Sequence, residues 1–431
     1  MKFIAAPLAA TALLACAPFA SAQEDDAFWN ALTQGKPDLY LRLRAEQVDD
    51  GTPGIRKTTA TSLRSALGYQ TGLFHGIGLY GQFENVHIIG NDRLYNDGGT
   101  NGIATRATIA DPQSTEINQA NIRFEGLPQT VLRYGRQEIT HREAPFHRYV
   151  GNILWRQNWQ TFDGFRLINK SVPDLTVDYS YIYNVNRIFG ESNPIADRSD
   201  FHLSGHLANV QYSGFSFGKF EPYAYLLDFD NIPASGRFST ATYGLRFEGA
   251  APLSETTKFL YTAEAATQSD YGENPYDIGV NYYLGELGAI HTYEGGHSVT
   301  LKLSYELLQG EGGVRSFQTP LGTNHAFQGW ADRFLITPGD GIEDWFVTLR
   351  AGLFGVTLIA VYHQYSADNL GYDYGSEWNL QAEKTFAKRY TVGLKYANYE
   401  ADQNATNLAR NSAGGQAFDL EKTWAYVQVK F

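Results

Sequence analysis

Apolar and polar residues alternate one by one through most of this chain. In an early segment, one face carries Leu39, Leu41, Leu43 and Ala45, and the other carries Tyr40, Arg42, Arg44 and Glu46. A repeat of two residues is the period of a β-strand, whose side chains point alternately to opposite faces of a sheet. The pattern therefore predicts strands with one apolar and one polar face.

Eighteen segments of this kind follow one another, most of them about 10 residues long, which is the length a tilted strand needs to cross a bilayer core. They span 38–48, 58–70, 76–88, 115–126, 130–136, 160–169, 173–185, 202–214, 218–229, 239–249, 257–269, 276–289, 296–309, 343–352, 355–366, 374–384, 388–399 and 421–431. After residue 22, no apolar run approaches the ~20 residues of a membrane helix. The segments favour either a soluble β protein or a membrane-spanning barrel.

The connections between the segments separate these two possibilities. Those after odd-numbered segments tend to be long, and those after even-numbered segments are mostly tight. The long ones are 89–114, 137–159, 186–201, 310–342 and 400–420. Short periplasmic turns alternating with long outer loops are typical of outer-membrane barrels, whereas a secreted sandwich or solenoid has no reason to sort its loops. We therefore predict an all-β fold, a transmembrane antiparallel β-barrel of 18 strands.

The last segment fits the closing strand of such a barrel. Val427, Val429 and Phe431 would face lipid, while Gln428 and Lys430 would face the lumen. Closure satisfies every backbone donor and acceptor within the bilayer. A terminal aromatic on such a strand is also similar to the assembly signal of bacterial outer-membrane proteins, so we expect Phe431 to engage the outer-membrane assembly machinery.

The first residues indicate export. Met1 and Lys2 precede an apolar run to about residue 20, and Ala20-Ser21-Ala22 fits a cleavage site, which predicts a signal peptide at 1–22. Cys16 loosely resembles a lipoprotein box, but the apolar region continues past it to the conventional site. We expect 23–37 to form a short periplasmic segment and 38–431 to form the barrel.

The composition agrees with an exported β protein. There are 28 Tyr, 26 Phe and 43 Gly against one Met and one Cys, and the formal net charge is −12. Aromatic and glycine enrichment favours strands joined by many turns. An acidic exported chain is a poor candidate for binding nucleic acid.

Several stretches resemble the alginate export family of outer-membrane porins. They are TSLRSALGYQTG from Thr61, GLYGQFENV from Gly78, STEINQANIRFEGLPQTVLRYGRQEI from Ser114, GNILWRQNWQTFDG from Gly151, YNVNRIFG from Tyr183, FGKFEPYAYLLDFD from Phe217, KFLYTAEAATQSDYG from Lys258 and FQTPLGTNHAFQGWADRFLITPGDGIEDWF from Phe317. The resemblance implies an 18-stranded barrel that passes an anionic uronic-acid polysaccharide, or a related sugar, through an arginine-lined lumen.

Arginines are frequent on the predicted polar faces. The inward-facing candidates are Arg42, Arg44, Arg64, Arg123, Arg133, Arg166, Arg246 and Arg350, and Arg136 and Arg156 at strand ends would frame a constriction if their loop folds inward. Guanidinium groups bind carboxylates through paired donors, so these ten residues are the candidate binding sites for an anionic substrate.

Acidic residues share the same faces, and cross-strand pairing with them is the alternative role for each arginine. These acids are Glu46, Glu84, Glu125, Asp178, Glu248, Glu264, Glu306, Glu377 and Glu383. The first six or seven strands are richer in arginine and the later strands in acids. We therefore expect one positive and one negative wall.

Other motifs are weaker. Phe327, Trp330 and Phe334 have helical spacing, and either stack on sugars at the mouth or pack on the barrel rim. Asn96 and Asp97 offer oxygens to calcium without a known loop spacing, and His141, Glu143 and His147 lack the spacing of a helical zinc motif. We predict no metal or cofactor site.

The predicted function is an outer-membrane channel for anionic saccharides, with lipid and lipopolysaccharide as surroundings and no enzymatic role. A general diffusion porin, or a barrel enzyme or adhesin, would share the barrel. Exporting members of the family carry a long gating loop near the C-terminal strands, but the turn at Ala387 and Lys388 is very short. This departure makes passive passage, including uptake, at least as consistent with the sequence as regulated secretion.

Overall fold

The computed structural model describes residues 22–230, 238–402 and 417–431. It forms one closed sheet of eighteen antiparallel barrel strands, and the predicted fold is confirmed. The strands are β1 Lys36–Asp50, β2 Thr58–Gln70, β3 Ile77–Ile88, β4 Ser114–Leu127, β5 Thr130–Gln137, β6 Thr161–Asn169, β7 Leu175–Asn186, β8 Asp200–Phe215, β9 Gly218–Phe229, β10 Thr240–Pro252, β11 Thr257–Asp270, β12 Gly279–Thr292, β13 Ser298–Glu311, β14 Gly341–Leu353, β15 Val356–Ser366, β16 Asp373–Phe386, β17 Tyr390–Ala401 and β18 Leu420–Lys430.

Each strand pairs with its neighbours in the chain, and β18 closes on β1 with Leu41 opposite Val429. The main chains of Leu39 and Phe431 exchange two hydrogen bonds, N–H of Phe431 to O of Leu39 at 2.9 Å and N–H of Leu39 to O of Phe431 at 3.3 Å. Closure leaves no strand edge facing lipid, which is the requirement the bilayer imposes on a sheet.

Outside the barrel strands, the helices are short. Helix α1 covers Ala22–Thr33 before β1, and α2 covers Ala196–Ser199. Single 3₁₀ turns occur at Asp92–Leu94, Glu294–Gly296 and Asn324–Ala326, and a two-residue strand, Arg315–Ser316, pairs antiparallel with the end of β13. In the part of the chain that the structure describes, no helix has the length and hydrophobicity to span a membrane.

The predicted alternation of faces is visible in the exposure of side chains. On β13, Leu301 and Leu303 are about half exposed on the outer surface (54% and 53%), whereas Ser304 and Glu306 are each 1% exposed on the inner face. The outer surface therefore presents hydrocarbon to lipid, and the polar side chains point into the bore.

A charge on the outer face near the middle of a strand is expected to lower the stability of the folded barrel. We expect Leu303→Arg to destabilise the folded barrel by about 2–4 kcal/mol, because guanidinium loses its hydration in the bilayer core. Urea unfolding from phospholipid vesicles measures this. Lys302→Arg, one residue away on the bore side, is the matched control, and equal losses for the two variants would contradict the assignment of faces.

We number the outer loops L1 to L9 along the chain. L2 (89–113), L3 (138–160), L4 (187–199) and L7 (312–340) are the long ones within the described residues, and L5 and L9 are described only at their ends. The opposite ends of the strands are joined by tight turns, such as 128–129, 354–355 and 387–389. The expected signal peptide, 1–22, lies outside the described residues except for Ala22.

Candidate permeation pathway

Two outer loops meet inside the bore. Val150 of L3 and Leu321 of L7 form a parallel β-bridge, and both are buried. The N–H of Gly151 donates to the carbonyl of Leu321 at 2.9 Å, and the side-chain amide of Gln160 donates to the same carbonyl at 3.0 Å. L3 and L7 therefore narrow the passage together, as one hydrogen-bonded body.

The arginines of β1 and β2 hold the tip of L3. Arg42 donates to the carbonyls of Leu154 and Arg156 and, at 2.8 Å, to the side chain of Gln157. Arg44 donates to the carbonyl of Trp155 and Arg64 to that of Gln157. The three side chains are at most 5% exposed. They face the bore as expected, but in this conformation they bind the protein's own loop.

Carboxylates neutralise the same cluster. Asp111 of L2 pairs with Arg44, Glu84 of β3 pairs with Arg64, and Glu46 of β1 binds Arg156 through both oxygens at 3.0 Å. Burying so many charges is tolerable only because each one has partners. The position of Arg156 fits the expectation that its loop folds inward, and its ion pair with Glu46 attaches L3 to the wall.

The acid-rich wall is neutralised by two further L3 arginines. Arg142 binds Glu221 at 2.8 Å and Glu264 at 2.8 Å, and Arg148 lies 3.1 Å from Glu306. Sequence analysis missed both arginines because they lie in a loop without strand periodicity. Glu264 and Glu306 were predicted as inward-facing acids and Glu221 was not, so the excess of acid on the later strands was the available signal for a cationic loop opposite.

L7 is fixed to β17 by Lys395, a lysine that lies between two tryptophan rings. The ammonium of Lys395 lies 4.0 Å from the ring centre of Trp155 and 3.8 Å from that of Trp330. It donates to Nε2 of His325 at 2.7 Å, and Nδ1 of His325 contacts Asp332 at 2.6 Å. Burial lowers the pKa of the His325 imidazole to about 3, and the nearby carboxylate of Asp332 offsets this only in part. His325 is therefore neutral.

The aromatic residues of L7 pack on the inner wall. Phe334 is buried against the rings of Tyr365, Tyr374 and Tyr399, with centroids 4.7, 5.4 and 5.8 Å away. Trp330 covers Lys395, and Phe327 lies under the Arg148 guanidinium at 4.4 Å. Of the two roles expected for these rings, packing is the one the structure displays.

The remaining predicted arginines divide into three groups. Three of them face the bore and form ion pairs. Arg166 pairs with Asp178, and Arg123 pairs with Glu125. Arg246 pairs with both Glu248 and Glu264. Arg133 and Arg350 also face the bore, but neither has an ion-pair or hydrogen-bond partner among the described residues. Arg136 is the exception to the predicted placement.

Arg136 lies on the outer surface, which corrects the expectation that it frames a constriction. It shares a strand face with Tyr134, which is 55% exposed. Its guanidinium binds Asp163 at 3.0 Å and Glu191 at 2.6 Å. The residue belongs to β5, which continues through Gln137, rather than to the inward-folding loop, so strand alternation sends its side chain outward.

The weak metal motifs have structural roles. Among the described residues, no group of three or more His, Cys, Asp or Glu side chains is arranged to hold a metal ion. Asp97 accepts hydrogen bonds from the backbone N–H groups of Gly99 and Asn101, which fixes a turn. Nδ1 of His141 contacts the hydroxyl of Tyr225 at 3.0 Å, and burial lowers its pKa to about 4.

Residues 38–276 match the family model described as "Alginate export". The chain belongs to the alginate export family. Among solved structures, it is similar to Acinetobacter baumannii OccAB2 (14% identity, 93% of this chain and 99% of that chain covered, TM-score 0.68) and OccAB4 (13%, 93% and 99%, TM-score 0.67). It is also similar to Pseudomonas aeruginosa OpdK, solved with vanillate (15%, 93% and 99%, TM-score 0.64).

No protein of curated function matches this chain significantly. The family match and the barrel identify an integral outer-membrane channel, because the family and the structures that share the fold are outer-membrane porins. These relatives are channels and not enzymes. Because the sequence identities to the solved structures are low, the similarity to them shows the fold alone. The solute must therefore be argued from the residues of this chain.

Proposed function

We propose that this channel passes anionic saccharides, with oligo-uronates as the substrate class that its family suggests. The observation that carries the proposal is the position of Arg133. Its side chain faces the bore between Arg123 and Arg166, which lie directly opposite it on the neighbouring strands. A guanidinium without a carboxylate partner, flanked by two others, is suited to bind a carboxylate from outside the protein.

Arg350 extends this site across the bore. It lies on β14, nine strands from β5 in a barrel of eighteen, so the two residues stand on opposite walls. Each is three residues from the periplasmic end of its strand, because β5 begins at Thr130 and β14 ends at Leu353. Weak cationic sites on both walls at one height would attract a polyanion and still let it move on.

Two further observations support the proposal. The ligand in the OpdK structure, vanillate, is itself a carboxylate. The turn between β16 and β17 contains only residues 387–389 and is closed by a hydrogen bond from the N–H of Arg389 to the carbonyl of Phe386 at 3.0 Å. This turn cannot gate the pore, which favours passive passage. We also propose lipopolysaccharide and the assembly machinery, reached through Phe431, as partners.

Reversal potentials in planar bilayers test the site. An ion passing ~7 Å from a guanidinium in a water-like dielectric gains about 0.6 kcal/mol. We therefore expect Arg133→Gln and Arg350→Gln each to lower the anion-to-cation permeability ratio about 2–3-fold and to weaken block by oligo-uronates. Arg389→Gln, in the periplasmic turn, is the control and is expected to change neither quantity.

The alternatives give different results. A cation-selective channel that oligo-uronates do not block would contradict the proposal. Equal conductance for neutral and acidic sugars in the native channel and in both variants would identify a general diffusion porin. The arginines of L3 are neutralised by carboxylates of the wall, and this observation favours that alternative.

A further inference from the structure

Helix α1 is attached to the outside of the barrel at its periplasmic end. The hydroxyl of Tyr69 donates to the carbonyl of Leu32 at 2.7 Å and accepts from the N–H of Gly35 at 2.9 Å. Tyr69 belongs to the lipid-facing side of β2, which it shares with Leu67, 61% exposed. The chain before β1 therefore turns toward the lipid side of the rim.

A second contact sets the position of the helix against the turn between β2 and β3. The N–H of Gly72 donates to the carbonyl of Ala31 at 2.8 Å. A Cβ on Gly72 would lie only 3.2 Å from that oxygen and 3.3 Å from the Cα of Ala31. Close approach therefore favours glycine here, and the last turn of α1 rests directly on the rim.

This attachment leaves two aromatic side chains uncovered. Phe28 is 41% exposed and Trp29 is 60% exposed, and the ring of Phe28 lies 5.4 Å from that of Phe74 in the same turn. Ile77 and Leu79, the next outward-facing residues, are 37% and 49% exposed. The aromatic pair is thus continuous with the apolar surface that the barrel presents to lipid.

We propose that α1 is an interfacial anchor, in which Phe28 and Trp29 insert into the headgroup region of the periplasmic phospholipid leaflet. Tryptophan is favoured at this depth because its ring is apolar and its N–H still reaches water or a headgroup. No Lys or Arg occurs from residue 22 to residue 33. The anchor therefore acts through apolar burial and not through attraction to anionic lipid.

Fluorescence quenching in vesicles tests this proposal on the full channel. Single cysteines are placed in a Cys16→Ser background, labelled with an environment-sensitive dye, and exposed to lipids that carry a quencher at a known depth. Trp29→Cys is the test position, Leu79→Cys the lipid-facing control, and Glu255→Cys, in the exposed turn between β10 and β11, the water-facing control. The gel mobility shift on boiling confirms that each variant forms the barrel.

We expect the label at position 29 to be quenched by shallow lipid quenchers and protected from aqueous iodide. Adding Tyr69→Phe, which removes the hydroxyl contacts, should increase its access to iodide. Quenching should be equal in zwitterionic vesicles and in vesicles with anionic lipid. A label at position 29 that behaves like the one at 255, or that needs anionic lipid, would overturn the proposal.

Discussion

Shortening L3 is expected to raise single-channel conductance several-fold. Gln137 and Phe162 are paired in register at the base of this loop, so a four-residue Gly/Ser linker can replace 140–159 without moving the strands. The deleted residues include Val150 and Gly151, which bridge to L7 inside the bore. Their removal widens the water-filled cross-section, and planar-bilayer recording measures the gain.

The same deletion should shift ion preference toward cations. It removes Arg142, Arg148 and Arg156 together with Glu143, a net loss of two positive charges from the bore. Glu221, Glu264 and Glu306 then lose the arginines that neutralise them. Replacing 272–277 of L6, the loop 271–278 between β11 and β12, with the same linker is the control. Unchanged conductance in a barrel that still shifts on boiling would mean that L3 does not limit the passage.

Removing Arg148 is expected to weaken the attachment of L3 to the barrel wall by about 3–5 kcal/mol, because it leaves a buried carboxylate without its cation. Glu306 is 1% exposed, and Arg148 lies 3.1 Å from it and 2.9 Å from the side-chain oxygen of Gln328. With Arg148→Met, Glu306 repels its neighbours, and L3 should leave the wall for a larger fraction of the time. The expected result is frequent stepwise increases in current.

The double variant separates charge from packing. Glu306→Gln alone leaves Arg148 unpaired and should also loosen the loop, whereas Arg148→Met with Glu306→Gln removes both charges and should recover most of the native current trace. Such coupling is expected only for groups in direct contact. If the two single effects simply add in the double variant, the ion pair does not hold L3. Lys302→Met, on the same strand as Glu306 but paired with Glu286 of β12 rather than with a residue of L3 or L7, is the matched control.

The family and the fold could be predicted from local pattern. All eighteen segments with period-two alternation became barrel strands, and the long and tight connections fell on opposite ends as expected. This works because a membrane barrel repeats one rule along its whole length: alternate side chains meet hydrocarbon or the bore. Even the closure of β18 on β1 follows from this rule, since an unpaired edge cannot face lipid.

The role of each arginine depended on tertiary structure. Arg42 and Arg133 have the same alternation in sequence, yet Arg42 is covered by L3 and Arg133 has no partner among the described residues. The difference arises because L3 crosses the bore and contacts the wall formed by β1 and β2. The arginines of that wall lie more than 90 residues before the loop residues they bind. No strand periodicity records such a contact.

The residues of the chain by themselves determined the barrel, its strand number, the faces of its strands and the side on which its long loops lie, because each of these follows from interactions between a residue and the surrounding lipid or water. Only the tertiary structure decided which charges in the bore are already neutralised, that Arg136 lies outside it, and that L3 and L7 narrow the passage together. Those outcomes depend on which groups meet across the bore, and pairing between distant groups has no local signature in sequence.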